Sequence, residues 1–177
     1  MFIKRLIIAS PTGVIRDMEF QAGLNLILDD TSTEDSKATG NNVGKTTVLK
    51  LIDFCLGAKA KNIYTSTENK KDEYEVVKDF LIDEKIMITL ILTDDLEDPQ
   101  ARTLEITRNF LTHKQAVRMI NGKQVLEKDF EDLLESYIIP DKKAAKPTFR
   151  QIISHNIRYK NESIDNTLKT LDKYTTD

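Results

Sequence analysis

A short stretch near the start of the chain combines the residue types that bind phosphate groups. Residues 39–46 read T-G-N-N-V-G-K-T, one position away from the pattern G-x-x-x-x-G-K-[ST]. In that pattern the second glycine lets the backbone approach phosphate, the lysine reaches the terminal phosphates and the hydroxyl binds magnesium. Backbone N–H groups at the start of the following helix complete an anion nest. The sequence predicts a nucleotide site formed by Gly40, Asn41, Asn42, Val43, Gly44, Lys45, Thr46 and Thr47, with Thr46 as a magnesium ligand.

The first position of the pattern departs from the rule, because Thr39 stands where a glycine is expected. That glycine mainly permits a tight exit from the preceding strand, and Gly40 is available one position later. Two interpretations follow. A competent loop is favoured, and a degenerate loop in a non-enzymatic interaction module is the alternative.

The elements around the loop have the order that phosphate binding requires. Alternating apolar residues predict strands over residues 2–10 and 13–20, and "LNLIL" (24–28) predicts a buried strand ahead of the loop. A helix is predicted over Lys45–Leu56, and Gly57 is well placed to end it.

The second half of the chain reads as antiparallel hairpins followed by helices. Residues 85–95 and 102–110 predict one hairpin, and Asn121-Gly122 marks a second. On the first of these strands one face is fully apolar and the other is mixed, which favours an antiparallel strand with one buried face. Helices are predicted over 127–138 and 148–159, with Thr148 as the cap of the latter.

Composition restricts the class of protein. The chain has 177 residues, 40% of them hydrophobic and 31% charged, as in an ordinary soluble domain. It shows neither a membrane-spanning apolar run nor a signal peptide, and a single cysteine, Cys55, fits a reducing cytoplasm. The net charge of −3 argues against a generally basic nucleic-acid binder. The basic segment 142–160 is read as a solvated face, with a contact to phosphate or DNA as the alternative.

The quoted segments together resemble a known family. "FIKRLIIAS", "GVIRDMEFQAGLNLIL" and "NNVGKTTVLKLIDFCLGA" are similar to the N-terminal half of the ATPase head of SMC-like and RecN-like proteins. The resemblance is specific over residues 2–58 and looser over 86–158. The loop and the polar segment before it are most similar to a bacterial subgroup of SMC-like ATPases that end in a C-terminal domain of unknown function.

The resemblance implies a fold, a cofactor and partners. It implies a P-loop NTPase of mixed α/β (α+β) class: the N-terminal lobe of an ABC-type ATPase head, with an antiparallel sheet beside the P-loop strand and helix. It also implies ATP and magnesium as cofactors, a second head as homodimeric partner, and Gln151 as a Q-loop magnesium ligand. For Gln151 an ordinary exposed helical glutamine is the equally weighted alternative.

The family's signature motif, Walker B strand and catalytic glutamate are not found in this sequence. In the family these come from a C-terminal half that follows a coiled coil. We therefore expect residues 1–160 to form the N-terminal lobe, 161–177 to be a frayed tail or the root of a coiled coil, and the chain to be a fragment of a longer protein. The fragment should bind ATP and hydrolyse it very weakly or not at all.

The expected function is the ATP-binding part of an SMC-like ATPase acting in DNA repair, chromosome maintenance or phage defence, in the cytoplasm. The main rival is a self-contained small P-loop kinase or GTPase, in which residues 85–95 would be a Walker B strand ending at Asp94 or Asp95.

Overall fold

A computed structural model describes residues 1–27, 45–65 and 73–157. The described residues form six strands, five helices and a short 3-10 turn. In chain order the strands and helices are β1 (Phe2–Ser10), β2 (Gly13–Glu19), α1 (Lys45–Cys55), α2 (Lys61–Tyr64), α3 (Glu75–Asp83), β3 (Met87–Thr93), β4 (Thr103–Asn109), β5 (Arg118–Ile120), β6 (Lys123–Gln124), α4 (Glu127–Ile138) and α5 (Phe149–Asn156).

The strands form a single sheet in the order β2-β1-β3-β4-β5-β6. Every neighbouring pair is antiparallel. Leu6 of β1 lies opposite Leu90 of β3, and Leu90 lies opposite Ile106 of β4, so these residues share one face of the sheet. The fold class is thus mixed α/β with a six-stranded antiparallel sheet, as the hairpin patterns predict.

Helix α1 covers the apolar face of this sheet. Leu90, Ile106 and Cys55 are fully buried, and the Cys55 thiol lies 3.9 Å from the carbonyl oxygen of Ile88. The ring of Phe54 stacks on Phe110 just beyond β4, with centroids 4.7 Å apart. The core therefore fixes α1 against the centre of the sheet.

The predicted turns and helix ends are confirmed in detail. Asn121 and Gly122 both have positive φ, 49° and 73°, as the two central residues of a tight hairpin turn require. Gly57 ends α1 with φ 104°. Thr148 caps α5 in a reciprocal capping box with Gln151. Within the described part of the chain, no helix is both long and apolar enough to span a membrane.

The strand predicted ahead of the phosphate loop is wrong over its described part. Residues 24–27 form no strand, and the side chains of Leu24 and Leu26 are 86% and 69% exposed. A strand is stable only beside a hydrogen-bonding neighbour, and no described strand pairs with this segment. Instead, the Asn25 side chain accepts from Gln21 N (3.0 Å) and donates to Gln21 O (2.8 Å), which closes a local turn. Leu28 lies outside the described residues.

Two further differences concern helices and the chain end. Helices α2 and α3 have no predicted counterpart. Tyr74 makes no side-chain cap to α3, and Val76, Val77 and Phe80 of that helix are exposed. Residues 158–177, which include the predicted tail, lie outside the described residues.

Candidate nucleotide site

The N-terminal turn of α1 is the part of the predicted anion site that the structure describes. The helix begins at Lys45, and Thr46 and Thr47 are exposed. The first turn contains no acidic residue to offset the positive end of the helix dipole. A lysine at this position opposes that dipole, so helix stability alone does not account for it. In the predicted site a bound phosphate would pair with the lysine and accept from the first N–H groups of the helix, which have no partner within an α-helix.

The structure describes only part of the predicted nucleotide site. Thr46 and Thr47 are described in full, and Lys45 as the first residue of α1. The residues that would form the rest of the loop, Gly40, Asn41, Asn42, Val43 and Gly44, lie outside the described residues. Their role as phosphate ligands stays a prediction.

The C-terminal end of α1 is held by Arg108 of β4. One guanidinium nitrogen donates to the carbonyls of Phe54 and Ala58, the latter at 3.0 Å. The guanidinium also lies 4.0 Å from the centre of the Phe54 ring and 5.1 Å from that of Phe130. Burial lowers the pKa of Arg108 to about 10. A cation at this end of the helix complements the dipole.

A second arginine joins α5 to the same end of α1. Asp53 is a carboxylate with only 5% of its surface exposed, within a run of buried residues over 51–56. Its Oδ1 accepts from Arg150 Nη2 at 2.8 Å, and Arg150 Nη1 donates to the Leu56 carbonyl at 2.8 Å. Arg150 directly precedes Gln151, the predicted magnesium ligand, in the sequence. The structure therefore links the helix of the phosphate loop to the helix that carries Gln151.

Gln151 is half-buried in the first turn of α5. Its Oε1 accepts from Thr148 N at 2.7 Å, and its own N–H donates to Thr148 Oγ1 at 3.3 Å. These bonds give Gln151 a structural role as the partner of Thr148 in the capping box of α5. Its role as a magnesium ligand stays a prediction.

The geometry of β3 counts against the small kinase or GTPase. A Walker B strand is usually a parallel strand buried on both faces, whereas β3 runs antiparallel to both β1 and β4. Of the two candidate metal ligands, Asp94 forms an ion pair with Arg102 at 2.8 Å, and Asp95 Oδ1 accepts from Glu97 N at 2.8 Å. The hydrogen bond from Arg102 holds the pKa of Asp94 below its usual range. Its position and partner suit a structural surface pair.

The basic segment of the sequence is partly neutralised. Lys142 pairs with Glu135 and Arg150 with Asp53, while Lys143 and Lys146 are exposed. The remaining two cations, Arg158 and Lys160, lie outside the described residues. Two of the four described cations are thus used internally, which favours a structural role over a continuous DNA-binding face.

Other chemistry finds little support among the described residues. They contain no group of three His, Cys, Asp or Glu side chains placed to hold a metal ion. Burial raises the pKa of Cys55 to about 12, so its thiol is inert at neutral pH.

Sequence reasoning missed Asp53 and Arg150 as a pair. One signal was available: Asp53 is an acid between the apolar residues Ile52 and Phe54 in a helix that must bury this side. A buried carboxylate needs a partner. The partner itself, 97 residues away, could not be named from spacing.

The chain is similar to two known proteins. It is 26% identical over 167 residues to the uncharacterised protein YydD of Bacillus subtilis (strain 168), an alignment that covers 88% of this chain and 28% of that protein. The chain thus spans less than a third of the length of that relative. It is also similar to a solved structure from work on ATP-driven dimerization and DNA-stimulated activation of SMC ATPases, with 15% identity, a TM-score of 0.47, and coverage of 77% of this chain and 79% of that one. No family model matches the sequence.

Proposed function

We propose that this chain is the ATP-binding N-terminal part of an SMC-like ABC-type ATPase head. The observation that supports this proposal most directly is the phosphate-loop pattern of residues 39–46. It runs directly into α1, whose first turn is exposed and free of acidic residues. Gly44 and the neighbouring N–H groups would hold the phosphates, Lys45 the terminal phosphates, and Thr46 and Gln151 the magnesium ion. Bound magnesium would neutralise charge on the terminal phosphates.

Completion of this head would require residues from outside the chain. A carboxylate that positions the attacking water, and a signature loop from a second head, are the parts missing from the sequence. We infer that a C-terminal half and a second copy of the head supply them. Within that proposal the cellular roles are DNA repair, chromosome maintenance or phage defence.

Titration of ATP and magnesium into the chain tests the proposal. We expect binding without steady hydrolysis. Lys45→Ala should weaken binding about a hundredfold, because a charge-assisted contact to phosphate contributes about 2–3 kcal/mol. Lys59→Ala is the matched control, since it removes the same charge just beyond the opposite end of α1, where Lys59 is exposed.

The other outcomes separate the alternatives. Steady turnover by this chain alone would favour a self-contained small enzyme. Failure of the unmodified chain to bind ATP would favour a non-enzymatic interaction module. Equal affinity in Lys45→Ala and the unmodified chain would show that the site is wrongly assigned.

A further inference from the structure

We propose that helix α3 is a docking surface for an amphipathic helix of a partner protein, one that carries a row of Lys or Arg beside its apolar residues. The surface is the side of α3 that points away from the core, and we call it the outer face of α3. It consists of Val76, Val77, Phe80, Glu75, Asp79 and Asp83. The inference is independent of the proposed function, because α3 shares no residue with the nucleotide site.

Helix α3 carries apolar residues on two sides. Leu81 is 7% exposed and belongs to the core, and Ile82 packs against that core. Val76, Val77 and Phe80 are 84%, 40% and 50% exposed. At about 100° per residue, the centre of these three lies about 140° around the helix from the centre of Leu81 and Ile82. A helix that is apolar on opposite sides is usually covered on both, so the outer face has the composition of a buried surface.

The exposed apolar residues of α3 form one patch. Val76 and Val77 precede Phe80 by four and three residues, the spacing at which side chains are neighbours on a helix. Single exposed apolar residues are ordinary on a protein surface, whereas contiguous ones mark interaction sites. Helix formation does not call for them, because valine favours a helix less than alanine or lysine does. Their spacing is that of the anchors by which one helix recognises another.

An acidic row runs along this patch. Glu75, Asp79 and Asp83 follow each other at intervals of four residues, and all three are exposed. None of them forms a salt bridge with a residue that the structure describes, whereas the lysine of this helix, Lys78, bonds Glu73 at 2.9 Å. Like charges four residues apart repel each other, and Asp83 opposes the dipole at the C-terminal end of α3. The row therefore weakens the isolated helix, and a cationic partner would relieve the repulsion.

These charges select the kind of partner. Lys or Arg side chains at the same interval on an approaching helix would pair with the acidic row, while the apolar residues of that helix cover the patch. A second copy of the chain would bring another acidic row to the contact. Nucleic acid and anionic membranes would also bring negative charge. The row disfavours all three, so a basic amphipathic helix is the occupant that fits.

The segments of this chain outside the described residues do not have that composition. Residues 28–44 contain one lysine and four acidic residues, and residues 158–177 contain four basic and four acidic residues. Residues 66–72 contain no apolar residue. None of the three combines apolar residues with an excess of positive charge, so we assign the outer face to a separate partner.

Two synthetic peptides of about 18 residues test the proposal, a length at which a helix can form. Both carry the same leucines on one side, and they differ in the residues beside those leucines, which are lysines in one peptide and glutamates in the other. Fluorescence anisotropy measures the dissociation constant of each peptide for the 177-residue chain at low and at high salt. We expect the lysine peptide to bind at least about tenfold more tightly than the glutamate peptide, and to lose affinity as salt rises.

Charge reversal on α3 is the sharpest variant. Asp79→Lys combined with Asp83→Lys should exchange the preference, so that the glutamate peptide binds about tenfold more tightly than the lysine peptide. Phe80→Ser should weaken binding of the lysine peptide about tenfold, because it removes the largest apolar side chain of the patch. All three residues are exposed, so the variants should keep the fold, which circular dichroism checks. If the charge reversal fails to fold, Phe80→Ser decides.

Each variant has a matched control elsewhere on the surface. Asp129→Lys combined with Asp132→Lys makes the same change of charge on two exposed acids of α4. Val14→Ser removes an apolar side chain of β2 that is 63% exposed. Both controls should leave the affinity for the lysine peptide within about twofold and its preference unchanged.

Four results would overturn the inference. The first is equal affinity for the two peptides, and the second is binding of neither. The third is binding of the lysine peptide that neither the charge reversal nor Phe80→Ser changes. The fourth is self-association of the chain that Phe80→Ser abolishes, measured by analytical ultracentrifugation, because a second copy would then cover the outer face. All four would leave the proposed nucleotide site untouched.

Discussion

The two ends of helix α1 are built in opposite ways. At the C-terminal end, carbonyls of Phe54, Leu56 and Ala58 accept hydrogen bonds from arginines of distant elements. At the N-terminal end, Thr46 and Thr47 are exposed and the first turn offers no acid to the helix dipole. One end is thus satisfied by the protein itself, and the other is the end that we propose binds phosphate. The comparison separates the part of α1 that anchors the fold from the part available to a ligand.

The largest predicted contrast between the two ends is in cysteine reactivity. Cys55 is fully buried and its pKa is raised to about 12, whereas a cysteine placed at exposed Thr47 should have a pKa no higher than the ordinary value, because the N-terminus of α1 favours the thiolate. At pH 8 we expect Thr47→Cys to react with an alkylating reagent about a thousandfold faster than Cys55, because the thiolate is the reacting form. Mass spectrometry of timed samples measures both rates, with the unmodified chain as the control.

Magnesium-ATP should then slow the labelling of Thr47→Cys and leave Cys55 unaffected. Equal rates at the two positions would mean that the ends of α1 do not differ as described. Labelling of Thr47→Cys that is insensitive to saturating ATP would place the nucleotide elsewhere.

Removal of Arg108 should damage the anchored end. Arg108→Ala leaves the carbonyls of Phe54 and Ala58 without their donor and removes the guanidinium from the Phe54 ring. We expect the free energy of unfolding to fall by about 3 kcal/mol, measured by urea denaturation. Arg118 provides a control, because its ion-pair partner Glu127 is exposed, and Arg118→Ala should cost about 1 kcal/mol or less. A cost for Arg108→Ala as small as that of the control would contradict the anchoring role.

Gly57 tests the same end through the backbone. Gly57→Ala introduces a side chain at positive φ and 3.0 Å from Arg150 Cδ, and we expect it to cost about 2 kcal/mol. Gly122→Ala separates strain from crowding. Gly122 also has positive φ, 73°, but a Cβ there meets nothing within 4 Å. Equal destabilisation by the two variants would show that the contact with Arg150 contributes nothing.

Local rules were enough to predict most of the fold. Alternation along residues 86–93 correctly gave the buried face and the antiparallel pairing of β3, because one face must meet the core while the other can remain mixed. The turn at Asn121-Gly122 and the cap at Thr148 depend only on the conformations that these residues favour. Such features are encoded within a few residues, so spacing and residue type suffice.

The failures lie where a distant partner decides. Leu24 and Leu26 have the pattern of a buried strand, but a strand forms only beside a neighbour, and the described sheet offers none. Helix α3 has no capping side chain, and of its apolar residues at helical spacing only Leu81 is buried while Val76 and Phe80 are exposed, so its start had no local signal. The position of Asp53 among apolar residues indicated a buried carboxylate, but only the structure identifies Arg150 as its partner. The lysine and threonine of the loop could be predicted as ligands from sequence alone, because phosphate binding restricts their order in the motif.

The smallest predicted effect concerns the position at which the loop departs from the common pattern. Thr39 precedes the backbone N–H groups of residues 42–47 that would form the anion nest, and Gly40 can supply the left-handed conformations that a turn there demands. Thr39→Gly should therefore change the affinity for magnesium-ATP by no more than about 1 kcal/mol, roughly fivefold in the dissociation constant. Gly44→Val is the paired variant, and it should abolish binding because a side chain would occupy the place of a phosphate. If Thr39→Gly instead tightens binding a hundredfold, the natural loop is degenerate. The exposed N-terminal end of α1 would then be a remnant of a nucleotide site, and the interaction module would become the better description of this chain.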